Sequence, residues 1–355
     1  MSESDLARFG WTPERDEQFK PQSEQGQFAA RVAVEHRSSY VLYGAEGELR
    51  AELAGRLRHE NVWPAVGDWV AVRPPATIVD VLPRRTVFSR KEPWLAPKEQ
   101  VLAANADTVL VTTALTAVDF KPRRLERYLA TAWDSGAQPA IVLTKVDLCD
   151  DVGAAVLAVE AVAFGVPIHT VNGLTGAGVD ELAPYLAGNR TLALLGSSGV
   201  GKSTIVNRLA GRELMPTAEI AEDGRGRHTT RHRELIPLPG GGLVLDTPGL
   251  RELQLWSVGD GLETTFEDVT AIAARCRFAD CAHRSEPGCA VREALRSGTL
   301  ARERFESWQK LQRELERLER KLDGRARSEH SRQVRREARS RRRTQKPFRR
   351  HARGS

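Results

Sequence analysis

The sequence lacks the long apolar stretch that a membrane span requires: no apolar run in its 355 residues approaches about 18 residues. Residues 1–5 are acidic, whereas a secretory signal peptide starts with a basic and then an apolar segment. Only four cysteines are present, too few for a disulfide framework in a chain of this length. We therefore expect a cytoplasmic protein of two or three domains that makes no membrane contact.

Charge is distributed unevenly along the chain. The formal net charge is +6, but residues 325–355 hold 13 Lys and Arg against two Asp and Glu, a net charge of +11. This tail has no pattern of apolar residues that would form a core, so we expect it to be disordered in isolation. Its charge favours attraction to RNA phosphates over the alternative of a merely solvated run.

A phosphate-binding loop is the most specific motif. The pattern G-x-x-x-x-G-K-[ST] follows the apolar run 192–195 and precedes a segment of helical character that ends at Gly211. Glycines allow backbone N–H groups to surround phosphates at a helix N-terminus. Lys202 is expected to reach the β- and γ-phosphates, and Ser203 to bind Mg²⁺. The predicted nucleotide-binding residues are Gly196, Ser197, Ser198, Gly199, Val200, Gly201, Lys202, Ser203 and Thr204.

Two helper motifs lie on either side of this loop. Downstream, residues 243–249 form an apolar run ending in Asp-x-x-Gly, where Asp246 is predicted to hold Mg²⁺ and Gly249 to sense the γ-phosphate. Upstream, an apolar run ends in Thr144-Lys145-Val146-Asp147, a version of the guanine-reading motif. The Asp147 carboxylate can accept hydrogen bonds from both N1–H and the 2-amino group of guanine, a donor pair that adenine lacks. This position therefore predicts GTP rather than ATP.

The order of these motifs is unusual. In ordinary GTPases the guanine motif follows the phosphate loop, but here it precedes the loop by about fifty residues. Residues 171–176, after a short apolar run, occupy the place where a second base-contacting loop is expected. This is the motif order of a circularly permuted GTPase. The Thr at position 144, where Asn is commoner, is expected to loosen the hold on the adjoining loop.

In this motif order, in the segment 226–230 and in a cluster of Cys and His after residue 275, the chain resembles a bacterial family. That family is the small ribosomal subunit biogenesis GTPases (ribosome small-subunit-dependent GTPase A), and the resemblance runs from about residue 28 to residue 320. It implies a multidomain protein with an OB-fold β-barrel, a circularly permuted α/β P-loop GTPase and a C-terminal α-helical zinc-binding domain. It also implies GTP and GDP as ligands, and the 30S ribosomal subunit and 16S rRNA as partners of a monomeric protein.

The family resemblance and the local amino-acid composition together predict the domain boundaries. Residues 1–27 are polar and are predicted to be a disordered arm. Short alternating runs between residues 28 and 82 predict five strands of a closed barrel; their spacing does not separate an OB-fold from an SH3-like barrel, and the resemblance favours the former. The predicted domains are the arm (1–27), the RNA-binding barrel (28–96), the permuted GTPase (97–258), the zinc-binding helical domain (259–324) and the basic tail (325–355).

Basic side chains of the barrel are candidates for RNA contact, with scattered surface arginines as the alternative. The run 83–91 is a basic connector that either touches RNA or is solvated. The candidates in the barrel are Arg31, His36, Arg37, Arg50, Arg56, Arg58 and His59.

The residues expected to act in hydrolysis lie between the phosphate loop and Asp246. Thr229 or Thr230 is predicted to close on Mg²⁺ and the γ-phosphate, without the sequence choosing between them. The residue after Asp-x-x-Gly is Leu250, which cannot orient a water molecule as the Gln of Ras-like enzymes does. His228 is therefore the candidate catalytic group, alongside Lys202, with a structural or RNA-contacting histidine as the alternative.

A compact group of thiols and one imidazole indicates a metal site. Cys276, Cys281, His283 and Cys289 lie within fourteen residues, which suits a closed tetrahedral Zn²⁺ site of structural type, while free buried thiols are the alternative. Farther on, apolar residues recur at intervals of three and four from Phe305 to Leu322, which predicts a long amphipathic helix.

These features predict a GTP hydrolase that binds the 30S subunit and acts in its late maturation, with hydrolysis stimulated by the subunit and coupled to release. The alternative is a nucleotide-gated RNA-binding module with negligible catalysis. A third hypothesis is an ATPase or a small-molecule kinase. Asp147 argues against it, because adenine lacks the pair of donors that this carboxylate can bind.

Overall fold

The computed structural model describes residues 4–91, 99–215, 233–246, 261–317 and 320. Its strands are β1 (Phe28–Glu35), β2 (Tyr40–Gly44), β3 (Gly47–Leu53), β4 (Trp69–Arg73), β5 (Thr77–Val81), β6 (Val87–Lys91), β7 (Glu99–Ala104), β8 (Thr108–Ala114), β9 (Gln138–Thr144), β10 (Ile168–Val171), β11 (Thr191–Leu195), β12 (Glu234–Pro237) and β13 (Leu243–Asp246). Its helices are α1 (Ser4–Ala7), α2 (Pro13–Ser23), α3 (Gly55–His59), α4 (Pro122–Asp134), α5 (Val152–Glu160), α6 (Lys202–Ala210), α7 (Gly261–Thr265), α8 (Glu267–Ala273), α9 (Ala290–Ser297) and α10 (302–317).

The first five strands close into a barrel, as predicted. β1 pairs with both β2 and β4, β2 pairs with β3, and β5 joins β3 to β4, so that the ring has no open edge. The β3–β5 pair is parallel and the others are antiparallel. This order makes the domain a five-stranded OB-fold barrel. Its interior is filled by apolar side chains, among them Ala30, Val32, Leu42, Val70 and Ile78.

The N-terminal arm is folded in its described part, so the prediction of a disordered arm is wrong for residues 4–27. Trp11 lies edge-on to Trp69 of the barrel at 4.7 Å between ring centroids, and Phe9 stacks on Tyr43 at 4.8 Å. The arm is poor in apolar residues, but aromatic side chains bury a large area each, about 150–250 Å². A few well-placed rings therefore attach α1 and α2 to the barrel.

Arg31, one of the predicted RNA contacts, is buried at 2% exposure and is not available to RNA. Its guanidinium donates to the backbone oxygens of Phe9, Gly67 and Asn105, which joins the arm, the barrel and the segment before β8. Burial lowers the pKa of Arg31 to about 10, which still leaves the group charged near neutrality. The other barrel candidates are exposed; Arg56 pairs with Glu60 one helical turn away.

The basic connector also has structural partners. Arg84 forms an ion pair of 2.7 Å with the buried Asp68, and Arg85 contacts Glu14 of the arm. Its last residues belong to β6, which pairs with β7 in a separate two-stranded sheet. Much of its charge is therefore engaged in the fold.

The following sheet has the order β10-β9-β8-β11-β13-β12, in which β12 is antiparallel and the other strands are parallel. This mostly parallel order confirms the α/β P-loop fold that the family resemblance implies. Helices α4 and α5 contribute to the core on one face, and α6 to the core on the other. Because β11 lies in the middle of the sheet, the segment after it opens between the carboxyl ends of its neighbours, the usual ligand position in such sheets.

One strand joins the parallel sheet to the barrel. β12 pairs with β13 on one side and with β1 on the other, where Val34 faces Glu234. An ion pair between Arg233 and Glu35, at 3.2 Å, lies at the same junction. The barrel and the parallel sheet thus form one continuous eleven-stranded sheet among the described residues.

Helices α7 to α10 form a separate apolar cluster, in which Phe266, Val291, Phe305, Trp308 and Leu311 are buried. The predicted amphipathic helix is confirmed over 302–317. Ala130 of α4 belongs to the same cluster, and Arg304 of α10 also attaches the cluster to α4 by an ion pair with Glu126. No helix in the described ranges has both the length and the apolar character needed to cross a membrane.

Candidate nucleotide-binding site and metal centre

The predicted phosphate loop connects β11 to α6, as expected. A side chain at Gly196 would place its Cβ 2.2 Å from the backbone oxygen of Thr112, so the neighbouring strand β8 requires glycine there. Gly201, at φ 99°, is the residue before α6, and Gly211 ends the helix in the left-handed conformation. The loop therefore presents the N-terminus of α6 at the carboxyl edge of the sheet.

Lys202 lies inside this loop. Its side-chain nitrogen donates to the backbone oxygens of Gly196, at 2.8 Å, and of Ser197. Lys202 and Asp246, the last residue of β13, both line one small cavity, and each is 9% exposed. The structure thus brings together the predicted phosphate-binding lysine and the predicted Mg²⁺ carboxylate, and Ser203 follows as the second residue of α6.

The guanine motif is joined to the phosphate loop by a hydrogen bond. Thr144, at the end of β9, is 2% exposed, and its hydroxyl donates to the backbone oxygen of Val200 at 2.6 Å. It also lies 3.3 Å from the backbone oxygen of Thr113. Threonine at this position therefore forms a direct hydrogen bond to the phosphate loop, whereas the sequence predicted a looser attachment. Asp147 follows on a short 3₁₀ helix (Val146–Leu148) and is exposed, as a base-binding carboxylate must be.

The second base-loop candidate begins where β10 ends at Val171, next to Thr144 of β9. The Asn172 side chain accepts hydrogen bonds from the backbone N–H groups of Leu174 and Thr175, at 2.9 and 3.1 Å, and so closes the loop. This loop and Asp147 consequently follow adjacent strands at the same edge of the sheet.

Two contacts to the phosphate loop were missed by sequence reasoning. Arg124 of α4 donates to the Ser197 hydroxyl at 2.9 Å, and the Tyr128 hydroxyl lies 3.4 Å from it. Their spacing of four residues on one helix face is a signal, but helical spacing alone does not say which neighbour that face meets. The predicted residues Gly249, His228, Thr229 and Thr230 lie outside the described residues.

The four predicted metal ligands come together. The ligand atoms of Cys276, Cys281, His283 and Cys289 all lie within 4.8 Å of one another. The Sγ atoms of Cys276 and Cys289 are 3.9 Å apart, and His283 Nδ1 lies 3.6 Å from the former and 3.5 Å from the latter. These side chains fit one structural metal ion.

The pKa values of two ligands are shifted towards the metal-binding forms, whereas burial and the neighbouring thiols raise the pKa of Cys281 to about 11. Burial lowers the pKa of His283, which favours the neutral imidazole that can bind a metal. Burial opposes ionisation of Cys276, but hydrogen bonds from the backbone N–H groups of Val291 and Ala290 leave its pKa below the usual value. Thiolate and neutral imidazole are the forms in which these side chains act as ligands.

Comparison with known proteins gives consistent matches. A family model described as RsgA GTPase matches residues 81–256. The small ribosomal subunit biogenesis GTPase RsgA of Opitutus terrae is 48% identical over 337 residues, covering 90% of this chain and 92% of that protein. The Streptomyces coelicolor protein of the same name is 44% identical over 334 residues, covering 92% of this chain and 91% of its own length.

Solved structures also match over most of the chain. The crystal structure of YjeQ from Thermotoga maritima has a TM-score of 0.63 and 26% identity, covering 81% of this chain and 98% of that one. The structure of YloQ, described as a circularly permuted GTPase, has a TM-score of 0.57 and 22% identity, covering 82% and 95%. The motif order of a circularly permuted GTPase, inferred from the sequence, therefore agrees with a known fold.

Proposed function

The chain belongs to the RsgA GTPase family and is a GTPase, and from this premise we propose that it binds the 30S ribosomal subunit and acts in its late maturation. Subunit binding stimulates hydrolysis, and hydrolysis is coupled to release. The observation that carries the proposal is identity of 44–48% over about nine-tenths of the chain to proteins named small ribosomal subunit biogenesis GTPases. The alternative of a binding module with negligible catalysis rests on Leu250, which stands where Ras-like enzymes have the water-orienting Gln, and membership of a GTPase family argues against it.

We propose the following roles for the nucleotide-binding residues. Backbone N–H groups of residues 196–204 surround the phosphates, and Lys202 leaves its two carbonyl partners to reach the β- and γ-phosphates. Ser203 and Asp246 hold Mg²⁺, which supplies positive charge to the phosphate oxygens when it is bound. At the other end of the site, Asp147 accepts hydrogen bonds from guanine, and Thr144 keeps this motif next to the phosphate loop.

The roles proposed for His228, Thr229, Thr230 and Gly249 rest on the sequence. Thr229 or Thr230 closes over the γ-phosphate, and the Gly249 N–H senses it. His228 takes the place of the missing water-orienting Gln. Slow hydrolysis by the isolated protein, accelerated by a partner, is the expected behaviour of such a site.

We propose that the metal in the cysteine and histidine cluster is Zn²⁺. Tetrahedral zinc, with Zn–S of about 2.3 Å and Zn–N of about 2.0–2.1 Å, sets S···S and S···N edges of about 3.8 and 3.5 Å. The Cys276–Cys289 and Cys289–His283 separations, 3.9 and 3.5 Å, agree with these edges. These four side chains would fill the coordination shell of the ion and leave no open position, so the ion would have a structural role.

The proposed contact with 16S rRNA involves the barrel and the basic tail of a monomeric, cytoplasmic protein. On the barrel, Trp63 is 49% exposed and offers a ring on which a base can stack. Exposed arginines of the same domain, Arg37, Arg50 and Arg58, supply charge for phosphates, and His36 and His59 are exposed beside them as hydrogen-bonding groups.

The first test is GTP turnover by the purified protein, alone and with 30S subunits, 50S subunits or free RNA, with Lys202→Ala as the blank. Strong stimulation by 30S subunits alone supports the proposal. Equal rates with every particle, at saturating GTP, contradict it. A second test addresses the base: Asp147→Asn is expected to reduce the preference for GTP over ATP, and unchanged selectivity would exclude Asp147 as the guanine contact.

A further inference from the structure

The loop that follows β10 is held by a side chain from the helix that begins at the phosphate loop. Arg208 of α6 donates from Nε to the backbone oxygen of Gly173 at 3.1 Å, and from Nη2 to the backbone oxygen of Leu174. One guanidinium edge thus binds two successive carbonyls. Among the described residues, no carboxylate lies within ion-pair distance of Arg208 to compete for it.

The same loop packs closely on α6 at two further points. A Cβ at Gly173 would lie 3.0 Å from the Thr204 methyl group, and one at Gly176 would lie 3.8 Å from the Arg208 guanidinium. Asn172 closes the loop internally by the two hydrogen bonds described above. The loop over residues 172–176 is therefore shaped by its own asparagine and located by α6.

The position of α6 gives this attachment a consequence for the ligand. Lys202 is the first residue of the helix, and Arg208 follows six residues later, a rise of about 9 Å. A single short helix consequently connects the phosphate end of the site to the base loop. The loop lies beside Asp147, since β9 and β10 are neighbouring parallel strands.

We propose that Arg208 is a positioning residue for base recognition: it holds the 172–176 loop so that the Gly173 backbone N–H meets the O6 atom of guanine. This deepens the proposed function, because it rests on the guanine site formed with Asp147. The other four backbone N–H groups of the loop donate to acceptors within residues 172–177. O6 of guanine accepts hydrogen bonds, whereas the 6-amino group of adenine donates them. A loop held in place by Arg208 therefore contributes discrimination at position 6, and Asp147 contributes it at positions 1 and 2.

The test compares the dissociation constants of GDP, IDP and ADP, measured by competition with a fluorescent guanine nucleotide. Hypoxanthine keeps O6 and N1–H but lacks the 2-amino group. Arg208→Ala removes two hydrogen bonds that together contribute about 1–3 kcal/mol, so the binding of GDP and of IDP is expected to weaken about five- to 140-fold, with ADP binding nearly unchanged. Arg208→Lys, which retains one donor for the carbonyls, is expected to give a smaller loss.

Two variants serve as controls. Arg212→Ala removes an exposed arginine just beyond α6 and is expected to leave all three constants unchanged. Asp147→Asn is expected to weaken GDP more than IDP, because the 2-amino contact exists only in GDP.

The outcomes separate the two proposals. If the wild-type protein does not prefer GDP to ADP, the guanine site itself is wrong. If the wild-type protein shows this preference and Arg208→Ala weakens all three nucleotides equally, or none, the positioning role of Arg208 is overturned.

Discussion

Replacing Arg304 with Met tests the charged attachment of the C-terminal helices to α4. Arg304, on α10, donates to the Glu126 carboxylate at 2.7 Å, and Glu126 is 1% exposed. It also donates to Asp268 at 2.9 Å and to the backbone oxygen of Thr265 at 2.6 Å. Removing the guanidinium leaves Glu126 buried, with the Ser307 hydroxyl as its remaining hydrogen-bond donor among the described residues.

The expected cost is large because the carboxylate loses its counter-charge without gaining water. Breaking a buried ion pair from one side costs about 3–5 kcal/mol. Methionine keeps most of the apolar stem but loses the contact of the guanidinium with the Phe266 ring, 4.2 Å from its centroid, worth about 0.5–2 kcal/mol. We therefore expect the opening free energy of α8 to α10 to fall by about 3–5 kcal/mol.

Hydrogen exchange resolved to individual helices is the appropriate assay, because it reports the opening of α8 to α10 separately from the two sheets. Arg313→Met, an exposed arginine on the same helix, is the matched control and should change the opening free energy little. The double variant Glu126→Leu with Arg304→Met is expected to recover much of the loss. A loss under about 1 kcal/mol for Arg304→Met, equal to that of the control, would refute the reasoning.

Three further outcomes are expected. Thr144→Val removes the hydroxyl bonded to Val200, which should weaken GDP binding about five- to ten-fold in a nucleotide titration, while Thr144→Ser should not; equal binding by both variants contradicts this. Gly67 has a φ of +90°, and Gly67→Ala would place a Cβ 2.1 Å from the Ala104 backbone oxygen. Thermal melting should show that the free energy of unfolding falls by about 2–4 kcal/mol, whereas the control Gly55→Ala, with open space around it, should change it little. Chelation should release one metal ion per chain and expose α7 to α10 to protease while GDP binding persists; intact protease resistance would argue against a structural metal.

Motifs whose chemistry is local were predictable from the sequence. The strand, glycine loop and helix around Lys202 were confirmed, because each depends on neighbouring residues. The five barrel strands were also confirmed, since alternation of apolar residues is a local pattern. The order of the motifs also predicted the circularly permuted GTPase fold. Each motif follows a strand, and the carboxyl ends of parallel strands lie at one edge of a sheet, so the motifs meet there.

Features that depend on distant contacts were not predictable. The arm was predicted to be disordered because it has few apolar residues, yet Trp11 finds a large partner in Trp69, 58 positions away in the chain. Arg31 has the appearance of a surface arginine in the sequence, and only the folded chain supplies the three carbonyl groups that bury it. Arg208 gives no sequence signal either, because its partners are backbone oxygens, which every residue has.

The pairing of β12 with β1 has a consequence for dividing the protein into parts. A sheet edge without a partner presents unpaired N–H and C=O groups to which another chain can add. Here β1 of the barrel pairs with this edge of β12 at Val34 and Glu234, and the ion pair between Arg233 and Glu35 lies beside that pairing. A shortened protein without the barrel would expose this edge. If such a protein lost solubility, the cause would be pairing of β12 strands between copies of the chain, and the result would not show that the barrel carries an activity.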